Sequence, residues 1–302
     1  MGFVSGWLGY RQQAANAEVD LIESAGLLSG AIAEYVREQV VLMESVVDSH
    51  GSQDRAMCSS LRTVQALHPH IVALVLQRVD RSFACSAPDD FPGSVAPSWM
   101  AEHPWVREAI DSGEPVWSPP YLGGVTNQWM AIRVTPLKDE HGVVWGTVGM
   151  GLSLQRIQQL VSRWAAPGIL VSVTNSEGVI VARSEESERW IGEPVPGAVV
   201  SFEPDVGAGF RSTEGLDGVQ RMFGYMPVDG VPWVVYAGVP EETIYAPARA
   251  FLALQVGLGL LALLIVLAFG RRLERGVVTS LTRLGERLTR ASKVGEVALR
   301  VL

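Results

Sequence analysis

The longest apolar stretch of this chain, residues 251–270, sets the first limit on how it can fold. It holds one polar side chain, Gln255, and is flanked by Arg249 and by the pair Arg271 and Arg272. A helix of that length rises about 30 Å at 1.5 Å per residue, which is the thickness of a bilayer's hydrocarbon core. We therefore predict a transmembrane helix that separates a large N-terminal region from a short C-terminal one.

The distribution of charge predicts the orientation of this helix. Residues 271–302 carry eight Lys or Arg and three Asp or Glu, whereas residues 1–270 carry 16 basic and 29 acidic residues. Basic flanks stay in the cytoplasm under the positive-inside rule, so we expect residues 271–302 inside and the acidic region outside. The same acidity argues against a nucleic-acid partner.

The N-terminal residues 1–10 (MGFVSGWLGY) are apolar but end at Arg11, too soon to span a membrane. They also lack the basic start and the small-residue cleavage site of a signal peptide. Because a large region placed outside the membrane needs an export element, we expect these residues to be the end of a first transmembrane helix.

Helical periodicity dominates the region that follows. Apolar residues recur at helical spacing over residues 11–49, a length that suits a stalk rather than an ordinary globular helix. Further helices are predicted over residues 54–66 and 98–112, the latter interrupted near Pro104. Strand-forming segments lie at residues 71–76, 82–86, 116–121, 127–137 and 143–152 and, after a helix over 154–164, at 169–173, 179–182, 219–227 and 233–239.

The order of strand, turn, strand, loop and hairpin occurs twice in this series. It predicts two tandem α/β modules, one over residues 11–164 that includes the stalk helix and one over residues 165–248. The first module would lie far from the membrane and the second close to it.

The hairpin over residues 127–152 has the clearest two-faced pattern in the chain. Alternation is expected to place on one face an apolar stripe that packs against the long helix, formed by Met130, Ile132, Val134, Val144, Val148, Met150 and Leu152. The other face would carry Trp129, Ala131, Arg133, Trp145, Thr147, Gly149 and Gly151. We predict that a small ligand lies on this second face.

Aromatic side chains are concentrated around this hairpin. Core packing explains each tryptophan taken alone, but their clustering favours an aromatic-lined site. The candidate ligand-binding residues are Trp99, Trp105, Trp117, Trp129, Trp145, Tyr121, Thr147 and Arg133.

Arg133 is the sharpest single candidate, because a charge in the middle of an apolar strand needs an anionic partner. That partner is either the carboxylate of a ligand, held bidentately, or an internal acid such as Asp111 or Glu114.

The cysteines and histidines give no sign of catalysis. Cys58 and Cys85 either form a disulfide, which persists outside the cytoplasm, or are two small buried thiols. The histidines show no metal-ligand spacing beyond His68 and His70, which we interpret as part of an exposed turn. Because the sequence also lacks a phosphate-binding glycine loop and a nucleophile motif, we predict no catalytic site, metal or cofactor in this chain.

An ordered set of segments resembles the extracytoplasmic double-Cache sensor of bacterial transmembrane receptors, over about residues 11–248. The segments are CSSL at 58–61, ACS at 84–86, DEHGVVWGTVGMGLSL at 139–154, NSEGVIVARSEESERWIGEPVP at 175–196, LDGVQRMFGYMPV at 216–228 and VVYAGVPEETIYAP at 234–247. The resemblance implies an α/β fold with a long stalk helix and two tandem PAS-like Cache modules. It also implies a homodimer in the bacterial inner membrane, with residues 11–248 periplasmic or extracellular.

The resemblance also bears on the ligand. Family members that bind free amino acids share an Arg-x-Trp-Tyr run and an Asp near the end of the last pocket strand. This chain has Ala101-Glu102-His103-Pro104-Trp105 at the first place and Gly151 at the second. An organic acid held by Arg133, or a quaternary amine enclosed by tryptophans, is therefore expected instead.

The tail beyond the membrane helix has the spacing of a coiled-coil seam. Its apolar residues are Val277, Leu281, Leu284, Leu288 and Ala291. They resemble the first helix of a HAMP signal-relay domain, although Ser280 stands where that family usually has proline. The expected function is the sensing and relaying part of a receptor of the histidine kinase, diguanylate cyclase or chemoreceptor type. The alternative is a membrane-tethered binding or decoy subunit without its own output.

Overall fold

The computed structural model describes residues 2–50, 54–80, 82–88, 103–124, 126–195 and 207–299, with the backbone alone for residues 2–11, 13–14, 83, 248 and 273–299. The described helices are α1 (Gly2–His50), α2 (Asp54–Leu67), α3 (Pro104–Ser112), α4 (Leu154–Trp164), α5 (Ser187–Trp190) and α6 (Glu241–Leu299). Residues Gln13–Ile244 form one compact unit, and the chain ends, up to Gln12 and from Tyr245 onward, form another.

The described strands build two antiparallel sheets. The distal sheet contains β1 (Ile71–Arg78), β2 (Phe83–Ala87), β3 (Val116–Trp117), β4 (Tyr121–Leu122), β5 (Trp129–Lys138) and β6 (Val144–Ser153). The proximal sheet contains β7 (Leu170–Asn175), β8 (Ile180–Arg183), β9 (Gly209–Glu214), β10 (Gln220–Pro227) and β11 (Trp233–Pro240).

The two sheets share one strand order. The distal order is β2-β1-β6-β5-β3, with β4 paired to β5, and the proximal order is β8-β7-β11-β10-β9. In each sheet the first strand of the module lies beside the last one, and the central hairpin is β5–β6 or β10–β11. The predicted pair of tandem α/β modules is therefore confirmed.

Helix α1 carries the core of both modules on one side. Its buried residues follow helical spacing and are Leu21, Ala25, Leu28, Ile32, Val36 and Met43. The proximal sheet approaches α1 so closely that a Cβ added at Gly224 would lie 2.5 Å from the carbonyl carbon of Leu21. The Ser29 hydroxyl also donates to the carbonyl of Pro227 at 2.6 Å. The predicted long helix is confirmed. These contacts show that α1 packs against the sheets and is not a free stalk.

Helix α4 connects the modules and has the predicted bounds. The Ser153 hydroxyl accepts a hydrogen bond from the Gln155 amide at the N-terminus, and the apolar stripe Leu154, Ile157 and Val161 is buried. The Gln158 side chain donates to the carbonyl of Arg183 at 2.7 Å and accepts from its amide at 3.0 Å. This pairing fixes β8 against the helix that leaves the distal sheet.

Three local predictions were wrong in detail. Helix α3 begins at Pro104 rather than being interrupted there, because proline fits the first helical position, where no amide donor is needed. Pro119 and Pro120 divide the predicted strand over residues 116–121 into β3 and β4, since proline cannot donate to the ladder. Strand β9 was missed because most of its side chains are exposed and it shows no apolar alternation.

Helix α6 follows β11 without an intervening residue, since β11 ends at Pro240 and α6 begins at Glu241. Within the described residues, one helix segment, Glu241–Arg272, is long and apolar enough to span a membrane, with a mean hydropathy of 2.6. The large apolar side chains between Phe251 and Phe269 are exposed, as a lipid-facing surface requires. The side chains of residues 1–10 and of the expected HAMP seam lie outside the described residues, so those two assignments stay predictions.

Candidate ligand-binding site

The hairpin loop between β5 and β6 decides which side chains share a face. The Asp139 amide donates to the Val143 carbonyl, the Gly142 amide donates to the Asp139 carbonyl, and Gly142 has a φ of 81°. This is a turn followed by a bulge, and it shifts the pairing between Leu137 and Lys138. A shift of one residue moves every side chain of one strand to the opposite face.

The expected grouping of the hairpin faces is therefore wrong. Arg133 pairs with Met150 and Ala131 with Leu152, whereas Ile132 pairs with Gly151 and Val134 with Gly149. Directly opposite residues share a face, so the apolar half of β6 lies with Arg133 and the glycine half lies with Ile132. One face carries Trp129, Ala131, Arg133, Val148, Met150 and Leu152, and the other carries Met130, Ile132, Val134, Trp145, Thr147, Gly149 and Gly151.

The face with Ile132 lies against α3, and we call it the α3 face. Its apolar cluster is formed by Val72, Val106, Ala109, Met130, Ile132 and Val134, with Trp105, Ile110, Val116 and Tyr121 packed against it. The prediction that the whole apolar stripe packs against the long helix is wrong for its β5 half, because the short helix α3 covers Met130, Ile132 and Val134. Its β6 half, Val148, Met150 and Leu152, lies on the face of Arg133, which is directed toward α1. The α3 face is thus the enclosed surface of the distal module.

Aromatic rings line one end of the α3 face. His103 and Trp105 are stacked, with ring centroids 4.2 Å apart, and Trp105 lies 6.2 Å from Tyr121. Burial raises the pKa of the Tyr121 hydroxyl, so it stays protonated at neutral pH. These rings offer a flat surface for an apolar or cationic group.

Polar groups mark the other end of the α3 face. Gln77 lies directly opposite Thr147 in the ladder, and both are only 3% exposed. Neither the amide oxygen nor the amide nitrogen of Gln77 has a hydrogen-bond partner within the described residues, and the same holds for Trp105 Nε1. Because buried polar groups in native proteins are nearly always paired, these atoms point to a molecule that binds here.

Arg133 lies on the opposite face and has an internal partner. Its guanidinium donates from Nη2 to Glu44 Oε1 of α1 at 2.9 Å and from Nη1 to Thr135 Oγ1 at 3.2 Å. The acids suggested from the sequence were the wrong ones, since Glu114 lies instead near Lys138. With 11% of its side chain exposed, Arg133 joins β5 to α1 and is separated by the sheet from Thr147 and Trp145.

Two of the candidate tryptophans contact the proximal module. A Cβ added at Gly192 would lie 2.1 Å from a ring carbon of Trp129, so that ring covers the glycine. The Trp117 ring lies 5.9 Å from Trp233, a fully buried residue of β11. Trp117 and Trp129 therefore share the Arg133 face, and Trp99 lies outside the described residues.

Cys58 and Cys85 form a disulfide, which confirms the first of the two alternatives. It joins α2 to the edge strand β2 of the distal sheet. On the same elements, Asp54 at the start of α2 pairs with Arg78 at the end of β1. Among the described residues, no group of three or more His, Cys, Asp or Glu is arranged to hold a metal ion.

Comparison with known proteins agrees with this architecture. Residues 95–159 match a family model described as the first PDC sensor domain of methyl-accepting chemotaxis protein-like receptors. The methyl-accepting chemotaxis protein McpA of Pseudomonas putida is 20% identical over 244 residues, which cover 78% of this chain and 36% of McpA. This chain thus spans about a third of the length of that curated relative.

Solved structures show the same fold. The ligand-binding domain of the Pseudomonas aeruginosa amino acid chemoreceptor PctB, in complex with L-Arg, matches with a TM-score of 0.58 and 20% identity, over 77% of this chain and 98% of that one. The ligand-binding domain of the Pseudomonas fluorescens chemoreceptor CtaA, in complex with L-serine, matches with a TM-score of 0.61 and 21% identity, over 76% and 99%.

Two antiparallel sheets of equal strand order on one long helix thus define a double-Cache sensor fold. Residues 95–159 of the distal module, which include α3, are similar to the first PDC sensor domain of methyl-accepting chemotaxis protein-like receptors.

Sequence reasoning missed Gln77 and Glu44. Gln77 directly follows the apolar run over residues 71–76 and was interpreted as the end of the strand. Its spacing of two and four residues from Val75 and Ala73 was the available signal, because it predicts the same face. Glu44 gave no such signal, since an acid on a long helix is ordinarily solvated.

Proposed function

We propose that this chain is the outward-facing sensor and transmembrane relay of a bacterial chemoreceptor, and that its ligand binds on the α3 face of the distal module. The observation that carries the proposal is the buried, unpartnered amide of Gln77 beside Thr147. Its ladder partner Thr147 lies within the residues that match a sensor family, and aromatic rings line the other end of the same face. A concave site with few polar groups and an apolar lining is typical of small-molecule binding.

The chemistry of the α3 face favours a neutral or cationic ligand. Among the described sheet residues on this side, Lys138 lies at the rim next to Gly113 and Glu114, and Arg133 is held by Glu44 on the other side. An amide can both donate and accept, so Gln77 suits a hydroxyl, amide or carbonyl of the ligand. The rings of Trp105 and Tyr121 suit an apolar or quaternary-amine part, by stacking or by cation–π attraction.

A free amino acid is the second candidate, because PctB and CtaA were solved with L-Arg and L-serine. An α-carboxylate needs a positive partner, and Lys138, at the rim of this face, already lies beside Glu114. An α-ammonium group is best met by a carboxylate, and Gly151 provides no side chain, which leaves the neutral amide oxygen of Gln77 as its acceptor. These two gaps place the amino acid second.

The route of the signal follows from chain connectivity. Strand β11 runs without a loop into α6, which contains the apolar segment. A cleft of about 390 Å³ lies beside this junction, lined by α1 residues and by Val239, Thr243 and Ile244. A ligand that binds one conformation of the module better than another shifts the population of both, and the cleft leaves room for the start of α6 to move against α1.

We further propose that residues 13–244 lie outside the inner membrane, that residues 251–270 cross it and that residues 271–302 begin a cytoplasmic HAMP helix in a homodimer. The charge asymmetry and the sensor family support this arrangement. The same family match favours a chemoreceptor output over a histidine kinase or a cyclase, and it gives no support to a decoy subunit.

The test is a thermal-shift screen of the full chain in detergent against quaternary amines, neutral polar compounds, amino acids and organic acids. A ligand present at a hundredfold excess over its dissociation constant should stabilise the protein by about 2.7 kcal/mol. Gln77→Leu should abolish that shift and at the same time raise the melting temperature of the empty protein, because it removes an unpaired buried amide. Arg133→Met serves as the control and should retain the ligand response.

Two outcomes would contradict this assignment. If Gln77→Leu lowers the stability of the empty protein, the amide has a structural partner. If organic acids are the stabilising class and Arg133→Met abolishes their effect, the ligand lies on the other face of the sheet.

A further inference from the structure

The proximal sheet carries a second row of polar side chains, on the side away from α1. Cross-strand pairing joins Arg183 to Ser172, Ser172 to Tyr236 and Tyr236 to Tyr225. Residues directly opposite one another share a face, so these four side chains form one row across four strands. Gly224 lies on the other face, where it meets the backbone of α1.

Two arginines lie on this proximal face and are almost fully buried. Arg183 is 4% exposed and Arg221 is 6% exposed. Arg221 forms a bidentate pair with Asp217, at 2.5 Å from Nη1 to Oδ1 and 2.7 Å from Nη2 to Oδ2, although its Nε has no partner within the described residues. The two charges of that pair cancel.

Arg183 has no such partner. Within the described residues its guanidinium makes one hydrogen bond, from Nη1 to Ser172 Oγ at 3.2 Å, and its Nε has none. The nearby acid Glu186 is instead engaged with Arg189 and with the indole of Trp190. A guanidinium cannot lose its proton in a protein, so Arg183 keeps a buried positive charge that no carboxylate contacts directly within the described residues.

The electrostatic surroundings agree with this geometry. Burial lowers the pKa of Arg183, and the carboxylate of Asp217 partly offsets that effect, whereas Arg221 adds to it. A third arginine, Arg211, lies directly opposite Phe223 on the same face and lowers the pKa of the Tyr236 hydroxyl, which burial raises. The carboxylates of Glu185 and Glu186 also raise the pKa of Arg183, but none of these acids forms an ion pair with it within the described residues.

We propose that this face of the proximal module binds a small monocarboxylate, with Arg183 as its anionic anchor. Because Nη1 donates to Ser172, the unpartnered Nε is the donor that remains for a carboxylate. The planar fork of arginine matches a carboxylate, and one guanidinium without a direct acid partner suits a monoanion. The rings of Tyr225 and Tyr236, with centroids 6.0 Å apart, continue the row beyond Ser172 and would contact the hydrocarbon part of the ligand on that side.

The experiment titrates the full chain in detergent with acetate, at constant ionic strength maintained with chloride, and follows binding by calorimetry and melting temperature. Wild-type protein should bind acetate saturably, and Arg183→Met should weaken binding by about ten- to a hundredfold, the usual range for a hydrogen bond to a charged group. Arg189→Met is the control for acetate binding to an exposed arginine. Its side chain is 66% exposed, and removing it should leave acetate binding unchanged. Gln77→Leu should also leave it unchanged, which separates this site from the distal one.

The stability of the empty variant gives a second readout. Removing an unpaired buried charge should leave the melting temperature of Arg183→Met unchanged or raised, whereas Arg221→Met should lower it by breaking a pair. Arg183→Lys keeps the charge but loses the fork and should retain weak acetate binding. A large loss of stability in both Arg183 variants would show an internal partner and overturn the proposal. So would equal acetate effects in wild type, Arg183→Met and Arg189→Met, which would indicate a general salt effect.

Discussion

The distal and proximal modules share one strand order but bury their arginines on opposite sides of the sheet. In the distal module Arg133 points toward α1, where Glu44 neutralises it, and the cluster enclosed under α3 is apolar. In the proximal module the side toward α1 is closely packed at Gly224, and the guanidiniums of Arg183 and Arg221 lie on the far side. Equal connectivity therefore leaves each module free to present a different chemistry to a ligand.

The largest expected difference between the modules concerns the disulfide, which lies in the distal one. Cys58 and Cys85 are 27 residues apart in sequence, so the bond should stabilise the fold by about 3 kcal/mol through the entropy of the unfolded chain. Reduction should speed hydrogen exchange in β1 and β2 first and leave β10 and β11 protected. Uniform deprotection of both sheets would show that the modules unfold as one unit.

The close approach of β10 to α1 gives the next largest effect. Gly224→Ala would place a methyl group 2.5 Å from the backbone of Leu21 and should destabilise the protein by about 2 kcal/mol, as overpacking of a core does. Gly30→Ala is the matched control on α1, where an added Cβ meets nothing within 4 Å. Chemical denaturation should show a loss for the first variant and a small gain for the second.

The paired arginine can be compared with the unpaired one. Glu44→Gln leaves the Arg133 guanidinium buried without its carboxylate and should destabilise the protein by about 1–2 kcal/mol, less than a fully buried pair would because 48% of the Glu44 side chain is exposed. Arg133→Met in the Glu44→Gln background should restore most of that loss. Additive effects of the two substitutions, in a double-mutant cycle, would show that the pair is not coupled.

The smallest effect is a dependence on pH that arises in the proximal module. The hydrogen bonds from Arg221 lower the pKa of Asp217 from 3.8 to about 2. A lowered carboxyl pKa stabilises the folded state above the unfolded pKa, and this contribution is lost as the pH falls from about 4 to about 2. Partial exposure of the carboxylate screens the interaction, so we expect about 1 kcal/mol. Asp217→Asn should flatten this part of the curve of unfolding free energy against pH, and an unchanged curve would argue against the pairing.

Much of the fold was predictable from the sequence because it depends on local periodicity. The long helix, the helix over residues 154–164 and, apart from β9, the succession of strands along the chain in two repeated modules follow from apolar spacing and turn residues. The disulfide stood as one of two alternatives, since only geometry decides whether two thiols meet.

The candidate site was less predictable, because it depends on register. One extra residue in β6, Trp145 between Val144 and Gly146, moves Arg133 from the side of Thr147 to the side of Glu44. The sequence predicts a turn between the two strands, but it does not show whether an extra residue interrupts the pairing beside that turn. The role of Gln77 was likewise not predicted, because it follows an apolar run at a position where a polar residue usually ends a strand.

The direct junction between Pro240 and Glu241 has a mechanical consequence. A flexible loop between a strand and a helix absorbs small displacements before they reach the next element. No loop separates β11 from α6, so a movement of β11 along its own axis also displaces the first turn of α6. Inserting a few glycines after Pro240 would add a flexible linker and should uncouple the two elements.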